Sequence, residues 1–165
     1  MLLEAARAAR NERIQRARGG IEPAGDVYRW MRVVYPAAFA AMMVEGAWRG
    51  LPPLPVVVAG MLVFAAGKTI KWWAITALGR SWTFRVIVVP GAPLVVSGPY
   101  RWVRHPNYVG VMGELAGVGL IAGAPVTGAL ALAIFGTLIA KRIAVEERTL
   151  RDAGRSSHGG ESASK

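Results

Sequence analysis

Long runs of apolar residues alternate with short polar connections along most of this chain. Four of these runs are close to the ~20 residues that a helix needs to cross the hydrocarbon core of a bilayer. They cover residues 31–48, 54–73, 108–124 and 125–140. A spanning segment must satisfy its backbone polar groups internally, and these runs lack the alternating pattern of barrel strands. The pattern predicts an all-α integral membrane protein with about four transmembrane helices.

Arginine and lysine residues lie between the apolar runs, and their distribution predicts an orientation. With both termini cytoplasmic, the N-terminal segment, the connection 79–107 and the tail from Lys141 all lie inside. Arg49 is then the one clear outside charge. Lys68 and Lys71, near the end of the second run, are expected to snorkel to the cytoplasmic side. The Ala, Arg and Gly bias indicates a bacterium, so we expect the inner (plasma) membrane.

Composition supports one membrane domain and excludes several kinds of site. Hydrophobic residues make up 53% of the 165 positions, and the mean hydropathy is +0.35. Cysteine is absent and histidine occurs twice, so we expect no disulfide and no metal site. The formal charge is +10, but the basic residues are not interleaved with aromatic residues in the pattern that a nucleic-acid-binding surface needs. We expect a basic surface segment at 1–30, the membrane domain at 31–150 and a disordered tail at 151–165.

Two polar clusters flank the last pair of apolar runs. One covers residues 98–110 and enters the third run, and the other covers residues 141–148 and leaves the fourth. The two runs join at Gly123-Ala124-Pro125, which predicts a tight helical hairpin with both clusters at its cytoplasmic end. Arg142 and Glu146 are one helical turn apart and share a face. Glu114 lies inside a span, where an ionised side chain is costly unless it is paired or hydrated.

Such a convergence suits a ligand that carries both an ammonium group and a carboxylate. Carboxylates such as Glu146 can hold the ammonium and ribose hydroxyls, while Arg104 or backbone N–H groups can hold the carboxylate. S-adenosylmethionine fits this description. Taken singly, each residue also has a structural explanation: the arginines as interface anchors, His105 as a helix-entry residue and Glu146 as a solvated charge.

The segment 98–110, Gly-Pro-Tyr-Arg-Trp-Val-Arg-His-Pro-Asn-Tyr-Val-Gly, resembles a known signature when it is combined with the Glu146-Glu147 pair. The signature is that of the isoprenylcysteine carboxyl methyltransferase family, and the resemblance covers about residues 79–150. It implies S-adenosylmethionine as cofactor, enclosed at the cytoplasmic face, and a lipid acceptor that enters sideways from the bilayer. The positions implied to contact the cofactor are Ala92, Pro93, Leu94, Val95, Tyr100, His105, Pro106, Asn107, Tyr108 and Glu146. To these we add the guanidinium of Arg104 and the second acid of the pair, Glu147.

Arg142 matches a family arginine that is placed toward the acceptor, and we assign it the catalytic role of stabilising an acceptor oxyanion. Methyl transfer from a sulfonium is an in-line displacement that needs positioning and a dry pocket but no covalent enzyme intermediate. No general base is compelling from the sequence. His105 could serve, although the resemblance implies that it contacts the cofactor.

The run 78–95 is similar to a bacterial branch of the family that is associated with type III polyketide synthases and O-methylates long-chain alkylpyrones or alkylresorcinols. Three alternatives stay open: carboxyl methylation of prenylated cysteine, N-methylation of phosphatidylethanolamine, and a non-catalytic membrane subunit that binds anionic lipid headgroups. Phospholipid methyltransferases would favour a Gly-x-Gly element where this chain has Gly98-Pro99-Tyr100. The tail departs from the family, whose members often continue with an aromatic-rich helix. Membrane lipids and a lipophilic substrate are the expected partners, and the sequence encodes no oligomeric state.

Overall fold

The computed structural model describes the backbone of residues 2–159 and the side chains of residues 3–152. Within these residues the chain forms five α-helices, which are α1 (Leu2–Ala17), α2 (Tyr28–Arg49), α3 (Leu54–Leu78), α4 (Pro106–Ala122) and α5 (Pro125–Gly159). Short 3-10 helices lie at Gly79–Ser81 and Gly98–Arg101. In the described chain the β pairing consists of one isolated bridge between Ile21 and Val88. The predicted all-α fold class is confirmed.

Two of the helices are long and apolar enough to cross a bilayer, namely α3 and the part of α5 before Asp152. By contrast, α4 has 17 residues, slightly fewer than the ~20 that a spanning helix needs. Helix α2 has 22 residues but includes Glu45 and three arginines. The total of about four spans and the orientation of the termini therefore stay predictions.

Helix α3 has an arrangement opposite to that of a helix in a water-soluble protein. Four of its five buried positions are small or charged, namely Gly60, Gly67, Ala74 and Lys71, and the fifth is Ile75. Many of its exposed side chains are large and apolar, and they include Leu54, Val58, Met61, Leu62, Val63, Trp72 and Trp73. Soluble proteins rarely expose so continuous an apolar surface, whereas a helix in lipid exposes apolar residues and packs through small ones.

The chain folds into two compact units. The loop unit comprises the described parts of Met1–Tyr28, Leu78–Val95 and Ala140–Lys165. The helix unit comprises Arg29–Ala77 and Val96–Ile139. The predicted domain bounds at residues 30 and 150 stay predictions.

In the helix unit, glycines allow α3 and α4 to touch backbone to backbone. A Cβ atom added to Gly67 would lie 2.8 Å from the carbonyl oxygen of Gly110, and one added to Gly117 would lie 2.6 Å from the amide nitrogen of Phe64. The predicted hairpin between α4 and α5 is present, with Gly123 ending α4 in the left-handed conformation that favours glycine. Close packing therefore depends on residues without side chains.

In the loop unit, α1 is held by the amide side chains of one face. Asn11 Nδ2 donates to the carbonyl oxygens of Gly79 and Trp82 over 3.0 and 2.7 Å, and Gln15 Nε2 donates to those of Arg80 and Ser81. These carbonyls follow the end of α3, where no further helical turn can satisfy them. The segment predicted to be basic and at the surface contains α1, whose Asn11 and Gln15 side chains are buried.

Helix α5 extends beyond the predicted end of the folded chain. Its backbone stays helical to Gly159, whereas the sequence predicted disorder from residue 151. A favourable pair spaced one turn apart, Arg151 Nη2 with Glu147 Oε2 at 3.4 Å, helps to continue the helix. The backbone of residues 151–159 is helical, residues 160–165 lie outside the described chain, and the predicted tail at 151–165 stays a prediction.

Candidate active site

The motif 98–110 connects a short 3-10 helix to the start of α4. Pro99 and Pro106 are buried, and Pro106 occupies the first turn of α4, where its missing N–H group is not needed. His105 directly precedes the helix, and its carbonyl oxygen accepts from the Tyr108 amide over 3.1 Å. The local sequence therefore fixes the backbone of the candidate site in the helix unit.

The side chains at the start of α4 form a small polar and aromatic group. The rings of His105 and Tyr108 are stacked, with centroids 5.6 Å apart and planes inclined by 21°. The Oδ1 atom of Asn107 is buried, and it has no hydrogen-bond partner within the described chain. Tyr100 is half-buried and Arg104 is exposed. A buried acceptor without a partner is uncommon, and it is consistent with a site for a ligand.

The second group of predicted cofactor residues lies in the loop unit. Ala92, Pro93 and Leu94 are exposed and Val95 is half-buried. They follow a turn at Pro90-Gly91, in which the Ala92 amide donates to the Val89 carbonyl over 3.1 Å and Gly91 has a φ of +74°. In the segment 86–89, which precedes this turn, Val88 alone forms a β-bridge, with Ile21. The segment is therefore a loop rather than a strand.

The three predicted residues of α5 differ in their surroundings. Arg142 is 6% exposed, its Nη1 atom lies 3.5 Å from Asp26 Oδ1, and its Nη2 atom donates to the Phe84 carbonyl. Glu146 is half-buried and makes no hydrogen bond or ion pair with the side chains that the structure describes. Glu147 pairs with Arg151. Of the three, Glu146 is therefore the carboxylate that can accept donors from a ligand.

Asp26 is a residue of this region that the sequence interpretation missed. Its Oδ2 atom accepts the Val86 amide over 2.9 Å, its Oδ1 atom faces Arg142, and it also accepts the Tyr28 amide. One carboxylate thus joins the N-terminal segment to the connection after α3 and to α5. One acid among the four of this basic segment carries no local signal for such a role.

A buried ionic cluster lies in the helix unit, where α2, α3 and α4 meet. The Glu114 carboxylate accepts from the Tyr35 hydroxyl, and its oxygens lie 3.1 Å from Lys68 Nζ and 3.2 Å from Lys71 Nζ. The snorkelling prediction is wrong for Lys71, which is 5% exposed and turned to Glu114. In apolar surroundings, a lysine ammonium group is stabilised more by a carboxylate within ion-pairing distance than by reaching toward a distant membrane–water interface.

The predicted site residues thus form two sets. The helix unit holds Tyr100, Arg104, His105, Pro106, Asn107 and Tyr108 in one continuous stretch, and the loop unit holds Ala92, Pro93, Leu94, Val95, Arg142, Glu146 and Glu147. The structure does not test their assignment to a cofactor, which stays a prediction. Within the described residues, no group of three His, Cys, Asp or Glu side chains could hold a metal ion.

The apolar helices and the polar motif that opens α4 define a class, namely a small helical protein suited to a membrane and equipped with a candidate ligand site. The sequence profile of the isoprenylcysteine carboxyl methyltransferase family matches residues 58–152. This match covers more than half of the chain, and the chain belongs to that family. Methyltransferases of this family use S-adenosylmethionine, so membership indicates the reaction class. The resemblance to the family is confirmed.

Two bacterial relatives match most of the chain. The "uncharacterized protein YpbQ" of Bacillus subtilis is 30% identical over 149 residues, which cover 90% of this chain and 89% of the relative. An "uncharacterized protein" of Haemophilus influenzae is 25% identical over 142 residues, with 86% and 83% covered. No solved structure matches the chain.

Proposed function

We propose that this protein is a membrane methyltransferase that uses S-adenosylmethionine to O-methylate a lipophilic acceptor. The observation that carries the proposal is the family motif at the start of α4, where Asn107 presents a buried oxygen without a partner in the described chain. Membership of the family supplies the reaction class. The apolar outer face of α3 supports a location in the membrane.

The residues present fit the cofactor in their chemistry. Asn107 Oδ1 and the Glu146 carboxylate are acceptors for the amine and hydroxyl donors of S-adenosylmethionine. The planar guanidinium of Arg104 matches a carboxylate. The stacked rings of His105 and Tyr108 offer an aromatic surface beside Asn107. We assign these residues to cofactor binding, together with the loop 92–95, Tyr100, Pro106 and Glu147.

When bound, S-adenosylmethionine supplies an electrophilic methyl group on a sulfonium. The tasks of the protein are to hold the acceptor oxygen in line, to exclude water and to favour the ionised acceptor. Arg142 stays the cation that we assign to the acceptor. Its contacts with Asp26 and the Phe84 carbonyl hold the guanidinium in one position, so that little reorganisation is needed when charge develops.

For the acceptor we propose a long-chain alkylpyrone or alkylresorcinol. The support is the similarity of residues 78–95 to the bacterial branch associated with type III polyketide synthases. The phenol or enol of such a molecule must lose its proton before it attacks, so a nearby cation would lower the pKa of the acceptor and assist the reaction.

The test is methyl transfer from labelled S-adenosylmethionine by the full chain in liposomes. A long-chain alkylresorcinol, an alkylpyrone, a farnesyl-cysteine analogue and phosphatidylethanolamine are offered separately. The variant is Glu146→Gln, and the matched control is Asp152→Asn, which removes an exposed carboxylate from the same helix.

We expect label in the alkylresorcinol or alkylpyrone, lost in Glu146→Gln and kept in Asp152→Asn. Label in the farnesyl-cysteine analogue or in phosphatidylethanolamine would overturn the proposed acceptor but keep the enzyme class. No label in any acceptor, together with no binding of S-adenosylmethionine, would favour a non-catalytic membrane subunit.

A further inference from the structure

The Glu114 cluster is not part of the predicted cofactor site, although both lie in the helix unit. Pro106, Gly110 and Glu114 are all buried and succeed one another at intervals of four residues, so they share one face of α4. At 1.5 Å per residue, Glu114 lies roughly 12 Å along the helix from Pro106, the first residue of α4. Six to eight residues, or about two helical turns, therefore separate Glu114 from the candidate cofactor residues of α4, which are Pro106, Asn107 and Tyr108.

The helix unit has few acidic residues, so few carboxylates are present to balance the two lysines of the cluster. The segments 29–77 and 96–139 contain two carboxylates, Glu45 and Glu114. Glu45 accepts from the Thr127 amide and hydroxyl over 2.7 and 2.6 Å and pairs with Arg49 at 2.8 Å. It thereby holds the first turn of α5. Within this unit, Glu114 is thus the one acid placed against two ammonium groups.

Placing more positive than negative charge inside an apolar helix unit is energetically unfavourable, so such an excess points to a binding role. A single lysine would neutralise Glu114, whereas the unit places two beside it and adds the Tyr35 hydroxyl as a third donor. Ionisable residues inside membrane segments mark sites for substrates, ions or protons. The arrangement suits the addition of one anion, which would make the group electrically neutral.

The cluster reaches the surface of the helix unit at Lys68. The Lys68 side chain is 37% exposed, whereas those of Lys71 and Glu114 are 7% and 2% exposed. On the same helix, Met61 and Leu62 lie one to two turns before Lys68 and are 58% and 67% exposed. A cation beside an exposed apolar surface suits an amphiphilic ligand. The anionic head of such a ligand would pair with Lys68, and its alkyl chain would lie against the apolar side chains of α3.

We propose that Lys68, Lys71 and Glu114 form a docking subsite that holds the anionic head of a lipophilic acceptor before the reaction, while Arg142 stays the cation assigned to the acceptor oxygen during methyl transfer. The proposal rests on the proposed function and deepens it, since an oxygen that accepts a methyl group reacts as a carboxylate, phenolate or enolate. The two ammonium groups favour the ionised head. Once the oxygen is methylated the head is neutral and is no longer attracted to the cluster, so the product does not compete with the anionic acceptor for this subsite.

The test measures binding without methyl transfer, in phosphatidylcholine nanodiscs that contain the full chain. The probes are a mid-chain dibrominated fatty acid, at a pH that ionises its carboxylate, and the fatty alcohol of the same chain. Bromine quenches tryptophan fluorescence on contact, and Trp72 and Trp73 are both on α3. The variants are Lys68→Met and Lys68→Arg, and the matched control is Lys141→Met, which removes an exposed lysine of α5.

We expect the wild type, Lys68→Arg and Lys141→Met to bind the acid about tenfold more tightly than the alcohol, the scale of one charge-assisted contact. Lys68→Met should bind both probes equally. Equal binding of both probes by the wild type, or an unchanged preference in Lys68→Met, would overturn the proposal and leave the cluster as a structural ion-pair group. Because no cofactor is present, failure of the methyl-transfer assay would leave this result standing.

Discussion

The helix unit and the loop unit are stabilised by different interactions. In the helix unit, glycines bring α3 and α4 into backbone contact, and a largely buried ionic cluster forms around Glu114. In the loop unit, amide side chains of α1 and the carboxylate of Asp26 hold the connection that follows α3. One unit depends on close packing and the other on long-range hydrogen bonds.

The difference corresponds to what each unit must do in the proposed function. Backbone polar groups in a lipid environment must be satisfied within the helix, so packing of small residues is the main means of holding helices together. A loop that contacts a polar ligand keeps unpaired backbone groups, and side chains such as Asn11 and Gln15 can satisfy them. Substitutions in the two units should therefore act on different parts of the chain.

The largest effect is expected from Glu114→Gln. The substitution leaves Lys68 and Lys71 without their shared carboxylate, and breaking a buried ion pair in this way costs about 3–5 kcal/mol. We expect the melting temperature in detergent to fall by about 10 °C. Adding Lys68→Met and Lys71→Met should recover much of the loss, since apolar replacement removes the uncompensated charges. An unchanged melting temperature in Glu114→Gln would contradict the role of the cluster in the helix unit.

Asp26→Ala should have the next largest effect and should be confined to the loop unit. Arg142 loses a buried partner and the Val86 amide loses its acceptor, at a cost of about 2–4 kcal/mol. We expect faster hydrogen exchange in residues 82–89 and unchanged exchange in α3 and α4. Equal acceleration in both units would show that their stabilities are not separable.

Gly67→Ala tests the packing of the helix unit directly. The new methyl group would lie 2.8 Å from the Gly110 carbonyl oxygen, so α3 and α4 must separate, and we expect a loss of about 1–3 kcal/mol in thermal unfolding. Gly136→Ala is the matched control, because its Cβ would meet Met112 Cε at an ordinary 3.6 Å. The control should be neutral or slightly stabilising. A Gly67→Ala variant as stable as Gly136→Ala would be evidence against backbone contact.

The smallest effect concerns an ion pair of the loop unit, formed by Glu22 with Arg85 and Arg16. Burial raises the pKa of Glu22, but hydrogen bonds from the two arginines outweigh it, and the net pKa is lowered. Stability from this group is therefore present above the unfolded pKa, about 4.3, and is lost as the pH falls through the lower folded pKa. Glu22→Gln should cost about 0.5 kcal/mol at pH 7.

Melting temperatures of the wild type and Glu22→Gln, measured from neutral to acidic pH, check this expectation. The two curves should converge as the pH falls through the folded pKa, and high salt should narrow their difference. If the difference in melting temperature between the two proteins stayed constant over that pH range, the effect would come from side-chain packing rather than from charge.

Hydrophobic runs predicted the helices of the helix unit because burial in lipid depends on local composition. The runs 31–48 and 108–124 end within three residues of α2 and α4. The run 125–140 ends well before α5 does, since a run marks where apolar sequence stops rather than where the helix stops. The hairpin at Gly123-Ala124-Pro125 was predicted, and the structure shows that Gly123 is the residue that ends α4.

Contacts between distant residues could not be predicted in the same way. The Asn11 amide reaches a carbonyl 71 positions away, and Lys71 pairs with a carboxylate 43 positions away. The sequence showed that Glu114 is costly inside a span, but it carried no signal for which lysines compensate it. The same limit applies to the candidate site, whose two sets of residues lie far apart in sequence and were related through the family signature.

The most direct measurement is isothermal titration of S-adenosylmethionine into the full chain in nanodiscs, with wild type, Glu146→Gln, Asn107→Leu and Lys141→Met compared. Our account predicts saturable binding by the wild type and by Lys141→Met. It predicts affinity at least about tenfold weaker in Glu146→Gln and Asn107→Leu, because each loses an acceptor for the ligand. Absence of binding by the wild type, or equal affinity in all four proteins, would contradict the assignment of this chain as a methyltransferase with its cofactor held by these residues.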